Sequence, residues 1–252
     1  MSVVDRLLAL PRPILVALDV DGTLAPIVRN PEESAIPAPT LRSLAELVLK
    51  PDARVALITG RDLASLSRME TLSGIWRGVE HGGVVIAPGE EPGPRALDDD
   101  QRHALEDFRR WAEEHAKDAF VELKPGAVAV HVRVLAETKP ERAEALLDQA
   151  EEAASSLGLH VRLGRCLREA EAAKHDKGEA LREIFARSGA ESVFFAGDDI
   201  TDLPAIEFAV NQGIGAFVVS KERPDPPVEG VLRVEGVGTM ATILSELVAR
   251  LS

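Results

Sequence analysis

Ile14-Leu15-Val16-Ala17-Leu18-Asp19-Val20-Asp21-Gly22-Thr23-Leu24 is an apolar run that stops in two carboxylates one residue apart, followed by a glycine. A short apolar run bounded by turn formers reads as a strand buried on both faces, the habit of strands in parallel sheets. Two acids at the end of such a strand repel each other unless a cation sits between them, and an all-oxygen donor set suits magnesium. A solvated Asp-Gly turn produces the same string, so the rest of the chain has to decide between the two.

Two further stretches repeat the theme. Arg54-Val-Ala-Leu-Ile58 runs into Thr59-Gly60-Arg61-Asp62, and Ser192-Val-Phe-Phe-Ala196 runs into Gly197-Asp198-Asp199-Ile200-Thr201-Asp202. Apolar strands separated by helical patterns assemble into a parallel sheet, and ligands bind beyond the carboxyl ends of its strands. Asp19, Thr59 and Asp198 are thereby expected at one edge. Taken singly, Thr59 reads as a helix cap and Asp198 with Asp199 as a solvated helix start. Lys177-Gly178 opens another helical pattern, where a helix N-terminus and an ammonium would face the same anion. Alone it would read as a surface lysine; beside the three strand ends it completes an anion site.

Outward from these motifs, residues 3–10 read as a short helix, with Pro11 and Pro13 ending it and admitting the first strand. Pro26, Pro31, Glu32, Glu33, Pro37 and Pro39 mark an excursion expected to lie as a flap over the strand end. Thr40 is expected to cap a helix running to about residue 49. Residues 74–88 suggest a hairpin turning at its glycines, and 216–219 one more parallel strand. Between residues 97 and 171 the character changes: a polar helix (99–117), strands at 120–123 and 127–134, a charged helix (139–157), and strands at 159–163 and 165–169. Helix-strand-strand repeated twice suits a small sheet with helices on one face. We therefore expect a core of residues 1–96 and 172–252 with an inserted α+β domain at 97–171. In its second strand, His131 and Arg133 are two apart and so expected on one face, with Val130, Val132 and Val134 on the other.

Composition narrows the function. The 252 residues are 45% hydrophobic, enough for an ample core, and the formal net charge of −13 argues against a nucleic-acid binder. Any anionic substrate must be met by local cations. Cys166 is the only cysteine, which excludes an intrachain disulfide; no apolar run is long enough for a membrane span, and the N-terminus makes a poor signal peptide. A cytoplasmic setting, no membrane partner and a monomer are expected.

Asp19-Val-Asp21-Gly-Thr23, Thr59-Gly-Arg61, Lys177-Gly178 and Gly197-Asp198-Asp199-x-Thr201-Asp202 resemble, in order and spacing, the four motifs of the haloacid dehalogenase (HAD) superfamily of phosphohydrolases. The resemblance implies an α/β, Rossmann-like HAD core with a parallel sheet and an inserted α+β cap of the C2 type, αββαββ. Leu18 to Val28 followed by Pro31-Glu32, together with Gly197 to Asp202, is similar to the trehalose-6-phosphate phosphatases over nearly the whole chain. That family's pattern has an acidic residue after the final Thr-Asp, where this chain has Leu203-Pro204, and a proline before the motif lysine, which residues 169–176 lack.

A phosphate monoester resists hydrolysis because its anionic oxygens repel nucleophiles, so a site must neutralise charge and hold the attacker in line. The resemblance assigns the attack to Asp19, proton transfer to Asp21, the phosphoryl oxygens to Thr59 and Lys177, and Mg2+ to Asp19, the Asp21 carbonyl and Asp198, with Asp199 and Asp202 in support. Gly60 and Arg61 are expected at the substrate. Val121-Glu122-x-Lys124, His131-x-Arg133 and Glu169 look like the family's sugar-contacting residues, which makes the expected partner a small phosphorylated sugar, trehalose 6-phosphate. Other phosphorylated sugars or osmolytes (mannosyl- or glucosyl-3-phosphoglycerate, sucrose 6-phosphate) are the alternative substrates. A non-catalytic sugar-phosphate sensor is the alternative from another class, against which the intact Asp19 and Asp21 speak.

Overall fold

In the computed structural model, which describes residues 2–28, 30–91, 97–164, 166–220, 223–225 and 228–251, the first half of the chain follows the expected alternation. Helix α1 (Val3–Leu8) starts in a reciprocal cap, Asp5 N–H donating to Ser2 Oγ at 3.1 Å and Ser2 N–H to Asp5 Oδ2 at 2.8 Å. Strand β1 (Ile14–Leu18) is buried at every position. Helix α2 (Ala38–Val48) begins earlier than expected, with Pro39 in its first turn; Thr40 is buried inside that turn and does not cap it. Strand β2 (Ala53–Ile58) leads through residues 59–62 to α3 (Leu63–Met69), whose cap is Asp62, its Oδ1 accepting from Ser65 N–H at 2.7 Å. Asp62 therefore does the capping that Thr59 would do on the plain reading. Strands β3 (Trp76–Val79) and β4 (Val84–Ile86) form the expected hairpin.

The second stretch forms its own sheet. Helix α4 (Asp99–His115) carries a capping box between Asp98 and Gln101, and β5 (Phe120–Lys124), β6 (Ala127–His131), α5 (Arg133–Thr138), α6 (Pro140–Ser156), β7 (His160–Gly164) and β8 (Leu167–Glu171) follow. The strands lie in the order β5-β6-β8-β7, antiparallel throughout. Phe108 of α4 and Leu146 and Ala150 of α6 pack on Val128, Val130 and Ala170, so the helices cover one face. Here one expectation is corrected. Strand β6 ends at His131: Val132 turns to φ −112°, ψ 13°, its N–H donates to the Cys166 carbonyl at 2.9 Å, and its carbonyl starts α5. Arg133 therefore lies in a helix and not two strand positions beyond His131, and Val134 is 78% exposed where it was expected to cover the apolar face.

The chain then returns to the first sheet through α7 (Lys177–Ser188), β9 (Ser192–Gly197), α8 (Leu203–Gln212), β10 (Gly213–Val218), β11 (Leu232–Val234) and α9 (Gly236–Arg250). Pro204 sits in the first turn of α8, where its missing N–H costs nothing. A side chain at Gly178 would come within 2.8 Å of Pro204, so glycine there lets α7 and α8 approach. Strand order is β11-β10-β9-β1-β2-β3-β4, parallel except for the β3–β4 hairpin. Alternate residues of β1 serve opposite layers: Ile14, Val16 and Leu18 join Leu44 of α2 and Leu247 of α9, while Leu15 and Ala17 join Ile184 of α7 and Ile206 of α8. The chain leaves β1 toward β2 on one side and later rejoins it through β9 on the other, so the crevice beyond β1 is a topological switch point. Two compact units result, 1–92 with 175–252, and 93–174.

Candidate active site

The strand ends converge as the sheet order requires. Asp19, one residue past β1, is 4% exposed, and its N–H donates to the Ala196 carbonyl of β9 at 2.9 Å. Asp198, one residue past β9, is 8% exposed, and Asp202 is fully buried in the 3-10 turn that follows. Asp202 Oδ2 accepts from the N–H groups of Asp198 at 3.1 Å and Asp199 at 2.9 Å, which folds the acidic loop back on itself. Lys177, the first residue of α7, places its ammonium 2.6 Å from Asp19 Oδ1 and 2.6 Å from Asp202 Oδ1. Gly22 (φ +86°) is required twice over: its backbone is left-handed, and a Cβ there would fall 2.1 Å from Asp198 Oδ2.

The electrostatics are unbalanced in a definite direction. Carboxylate oxygens of Asp19, Asp198 and Asp202 all lie within 4.8 Å of one another. Among the described residues Lys177 is the one cation that hydrogen-bonds these carboxylates, with Arg223 also acting on Asp198, so the three acids outnumber the positive charges set against them. Burial pushes Asp19 well above the ordinary carboxylate range; Lys177 opposes this, and the charges of Asp202 and Asp198 add to it. Asp198 is pushed up to about 7, first by burial and then by Asp202. Burial also raises Asp202, against the pull of Lys177. Burial works against the Lys177 charge, but Asp19 and Asp202 together outweigh it and hold the ammonium protonated. A dense, buried, all-oxygen donor set short of positive charge fits a hard divalent cation.

Asp21 faces a different environment. Its carboxylate accepts a two-point contact from Arg61, Nε to Oδ2 at 2.6 Å and Nη2 to Oδ1 at 2.7 Å, and Ser34 Oγ donates to Oδ1 at 3.0 Å. Arg61 also reaches the Pro31 carbonyl at 3.1 Å, so the excursion expected as a flap is tied back to Asp21. Thr59 is 1% exposed, and its Oγ1 accepts from Arg61 N–H at 3.1 Å, leaving its own O–H to donate; Gly60 lies between the two. Asp199, partly exposed, caps the turn through Ile200 N–H and contacts the Arg223 guanidinium, which also reaches the Asp198 carbonyl at 3.3 Å.

Ser34 and Arg223 are additions that the sequence reading did not name. Ser34 follows Asn30-x-Glu32, where Asn30 Oδ1 accepts from Glu32 N–H at 3.1 Å, and an Asn-Pro turn signal was the available clue that the excursion folds back. Arg223 sits beyond β10 in a loop with no motif to mark it.

In the four-stranded sheet, Glu122, Lys124, His131 and Glu169 share the face opposite the helices. Lys124 Nζ is 2.5 Å from Glu169 Oε1 and 3.9 Å from Glu122, and His131 Nε2 is 2.9 Å from Glu122 Oε2. Glu169 is 3% exposed, and Phe120 stacks at a tilt on His131, centroids 5.4 Å apart. Arg133, in α5, is not among them. Arg162 and Glu171 continue the face with a 3.0 Å ion pair.

The chain is similar to known proteins over most of its length. The trehalose-phosphatase family model matches residues 17–237. An uncharacterized glycosyl hydrolase of Mycobacterium tuberculosis is 33% identical over 98% of this chain, which spans 19% of that relative. The trehalose-phosphate phosphatase of Mycobacterium ulcerans is 29% identical over 97% of this chain and 64% of its own length. The chain thus spans less than two thirds of these curated relatives. Among solved structures, a trehalose-6-phosphate phosphatase related protein is 27% identical with a TM-score of 0.72, over 93% of this chain and 97% of its own. The C-terminal domain of the Candida albicans trehalose-6-phosphate phosphatase, at 18% identity over 98% of this chain and 95% of its own, has a TM-score of 0.77 and bears on the fold alone.

Proposed function

Because the chain belongs to the trehalose-phosphatase family, we propose that it hydrolyses trehalose 6-phosphate to trehalose and phosphate through an aspartyl-phosphate on Asp19. The observation that carries this is the Lys177 ammonium, 2.6 Å from both Asp19 and Asp202, at the carboxyl end of the switch-point strand. A carboxylate oxygen held on one side by Lys177 leaves the other free to attack phosphorus, and the covalent intermediate divides one hard displacement into two easier ones. Thr59 and Lys177 bind the transferring oxygens, where fixed donors stabilise the charge of the transition state. Asp21 gives a proton to the departing sugar oxygen and later takes one from the water that clears Asp19. Ser34 and Arg61 hold the Asp21 carboxylate in place, and in this reading Arg61 also shares in binding the phosphoryl group.

Magnesium fits the acidic cluster, with Asp19, the Asp21 carbonyl and Asp198 as its holders and Asp199 and Asp202 in support. When bound it supplies charge neutralisation at the phosphoryl group. Glu122, Lys124, His131 and Glu169 are the sugar-contacting set, alternating donors and acceptors as a hydroxyl-rich ligand requires. The reaction is cytoplasmic in this reading; among the described residues no helix is long and apolar enough to cross a membrane.

The test is phosphate release, with magnesium present, from a panel of phosphorylated sugars and osmolytes. Trehalose 6-phosphate should give the highest kcat/KM, and Asp19→Asn, which keeps the shape and loses the nucleophile, should abolish turnover. A preference of about tenfold for another member of the panel, or an active Asp19→Asn, overturns the reading.

A further inference from the structure

The hairpin from β3 to β4 turns through a corner more strained than a hairpin needs. Glu80 (φ 53°), His81 (φ 56°) and Gly82 (φ 97°) are three consecutive left-handed residues, two of them with side chains. A non-glycine residue held there is strained and persists only where its surroundings hold it. Glycine follows at once in Gly82 and Gly83, so a cheaper turn was available within the same segment.

The corner is fastened to the Thr59–Arg61 turn. Glu80 N–H donates to the Arg61 carbonyl at 2.8 Å, His81 N–H to the Thr59 carbonyl at 2.9 Å, and Thr59 N–H to the Gly78 carbonyl at 2.8 Å. The Nε2–Cε1 edge of the imidazole packs against Gly60: a Cβ on that glycine would meet His81 Nε2 at 2.4 Å and Cε1 at 2.5 Å. On its other side the corner abuts the start of α7, where a Cβ on Gly82 would fall 2.6 Å from the Asp176 carbonyl, one residue before Lys177. One strained corner thus touches both elements that carry the phosphoryl-binding groups, Thr59 and Lys177.

We propose that His81 is a positioning residue: its imidazole, packed on Gly60, braces the Thr59–Gly60–Arg61 turn in the conformation that receives a phosphoryl group. The proposal rests on the phosphatase reading for its substrate, but not for its geometry. Bracing is a matter of filled space, so it should be transferable. His81→Ala leaves a gap over Gly60; Gly60→Ala puts a methyl where the imidazole is; the double variant puts the methyl into the gap.

The experiment measures kcat/KM for trehalose 6-phosphate and for p-nitrophenyl phosphate, together with the rise in Tm caused by inorganic phosphate with magnesium present, in the parent, both single variants and the double. Each single variant should lose about tenfold or more on both substrates, because the phosphoryl site and not the sugar is disturbed, and should lose the phosphate-induced rise in Tm. The double variant should recover most of both. A His81→Ala protein that folds and stays within about twofold of the parent overturns the proposal, and so does a double variant as poor as the product of the two singles, which would mean that the imidazole acts by its chemistry. A single variant whose Tm without phosphate collapses is judged by the double: recovery of Tm without recovery of turnover and phosphate response also overturns it. If the parent turns over neither substrate, the phosphatase reading fails while the phosphate response still decides the bracing; a parent with neither turnover nor phosphate response overturns both.

Discussion

At the residue scale, Asp198 is one of three buried acids, with Asp19 and Asp202, whose ionisation the fold opposes. Burial, and after it Asp202, pushes the Asp198 carboxyl up to about 7, whereas in the unfolded chain an aspartate titrates near ~3.9. Between those values the folded protein binds more protons than the unfolded one, so stability falls as pH rises through that window. Ordinary carboxylates have finished titrating by about pH 5, which leaves the interval from about pH 5 to 8 to the buried acids. His160, whose pKa burial lowers, works in the opposite direction and is common to any variant compared. In EDTA, the Tm of the parent should therefore fall more steeply between about pH 5 and 8 than that of Asp198→Asn, by a few degrees, since ~1 kcal/mol moves Tm by about 2–4 °C at this chain length. Magnesium should flatten the parent's curve, because a cation favours the charged form of its ligands. Parallel curves in EDTA would show that Asp198 ionises in the folded state without penalty. The location of this residue was legible in the sequence, because a side chain at a strand's carboxyl end inherits its position from the sheet. That Asp202 turns inward to meet Lys177 was not, since it depends on the two N–H contacts that fold the loop back.

At the element scale, Glu122, Lys124 and Glu169, which the family resemblance singled out, lie on one face of the small sheet, as the period of two in the paired strands β5 and β8 requires. The alternation read into residues 130–134 failed one residue beyond β6. Val130-His-Val-Arg-Val134 alternates perfectly, yet Val132–Leu135–Ala136 also fits a helix, and the Cys166 carbonyl that captures Val132 N–H decides for the helix. That acceptor comes from more than thirty residues away and leaves no trace in the local pattern. Strand β11 was missed for a related reason: Leu232-Arg-Val234 is too short to show a period and is made a strand by pairing with β10. The Lys124–Glu169 pair, 2.5 Å apart with side chains 11% and 3% exposed, carries the element-scale prediction. Lys124→Ala should lower kcat/KM for trehalose 6-phosphate by about tenfold or more, as expected for losing a hydrogen bond to a charged group, and leave p-nitrophenyl phosphate nearly untouched. The variant also strands Glu169 without its cation, so Tm must be followed in parallel. Equal losses on both substrates would assign Lys124 to the fold and remove the face from sugar recognition.

At the scale of the whole molecule, the chain holds two compact units with separate cores. Every member of the acidic cluster, Asp19, Asp198 and Asp202, belongs to the unit formed by residues 1–92 and 175–252. A ligand that binds only one folded unit stabilises that unit by mass action, by ~2.7 kcal/mol at a hundredfold excess over Kd, and leaves an independently unfolding neighbour alone. The two tryptophans make this measurable, because Trp76 lies in β3 of the first unit and Trp111 in α4 of the second. Trp111→Phe leaves a fluorescence probe for the first unit, and Trp76→Phe one for the second. Raising magnesium from zero to saturation should move the thermal transition reported by Trp76 upward by several degrees, while the transition reported by Trp111 stays in place. Both probes moving together would mean that the chain unfolds as one cooperative body, with the second unit's stability drawn from the first. A shift in the Trp111 transition alone would put the cation in the second unit and overturn the assignment of the acidic cluster as its holder.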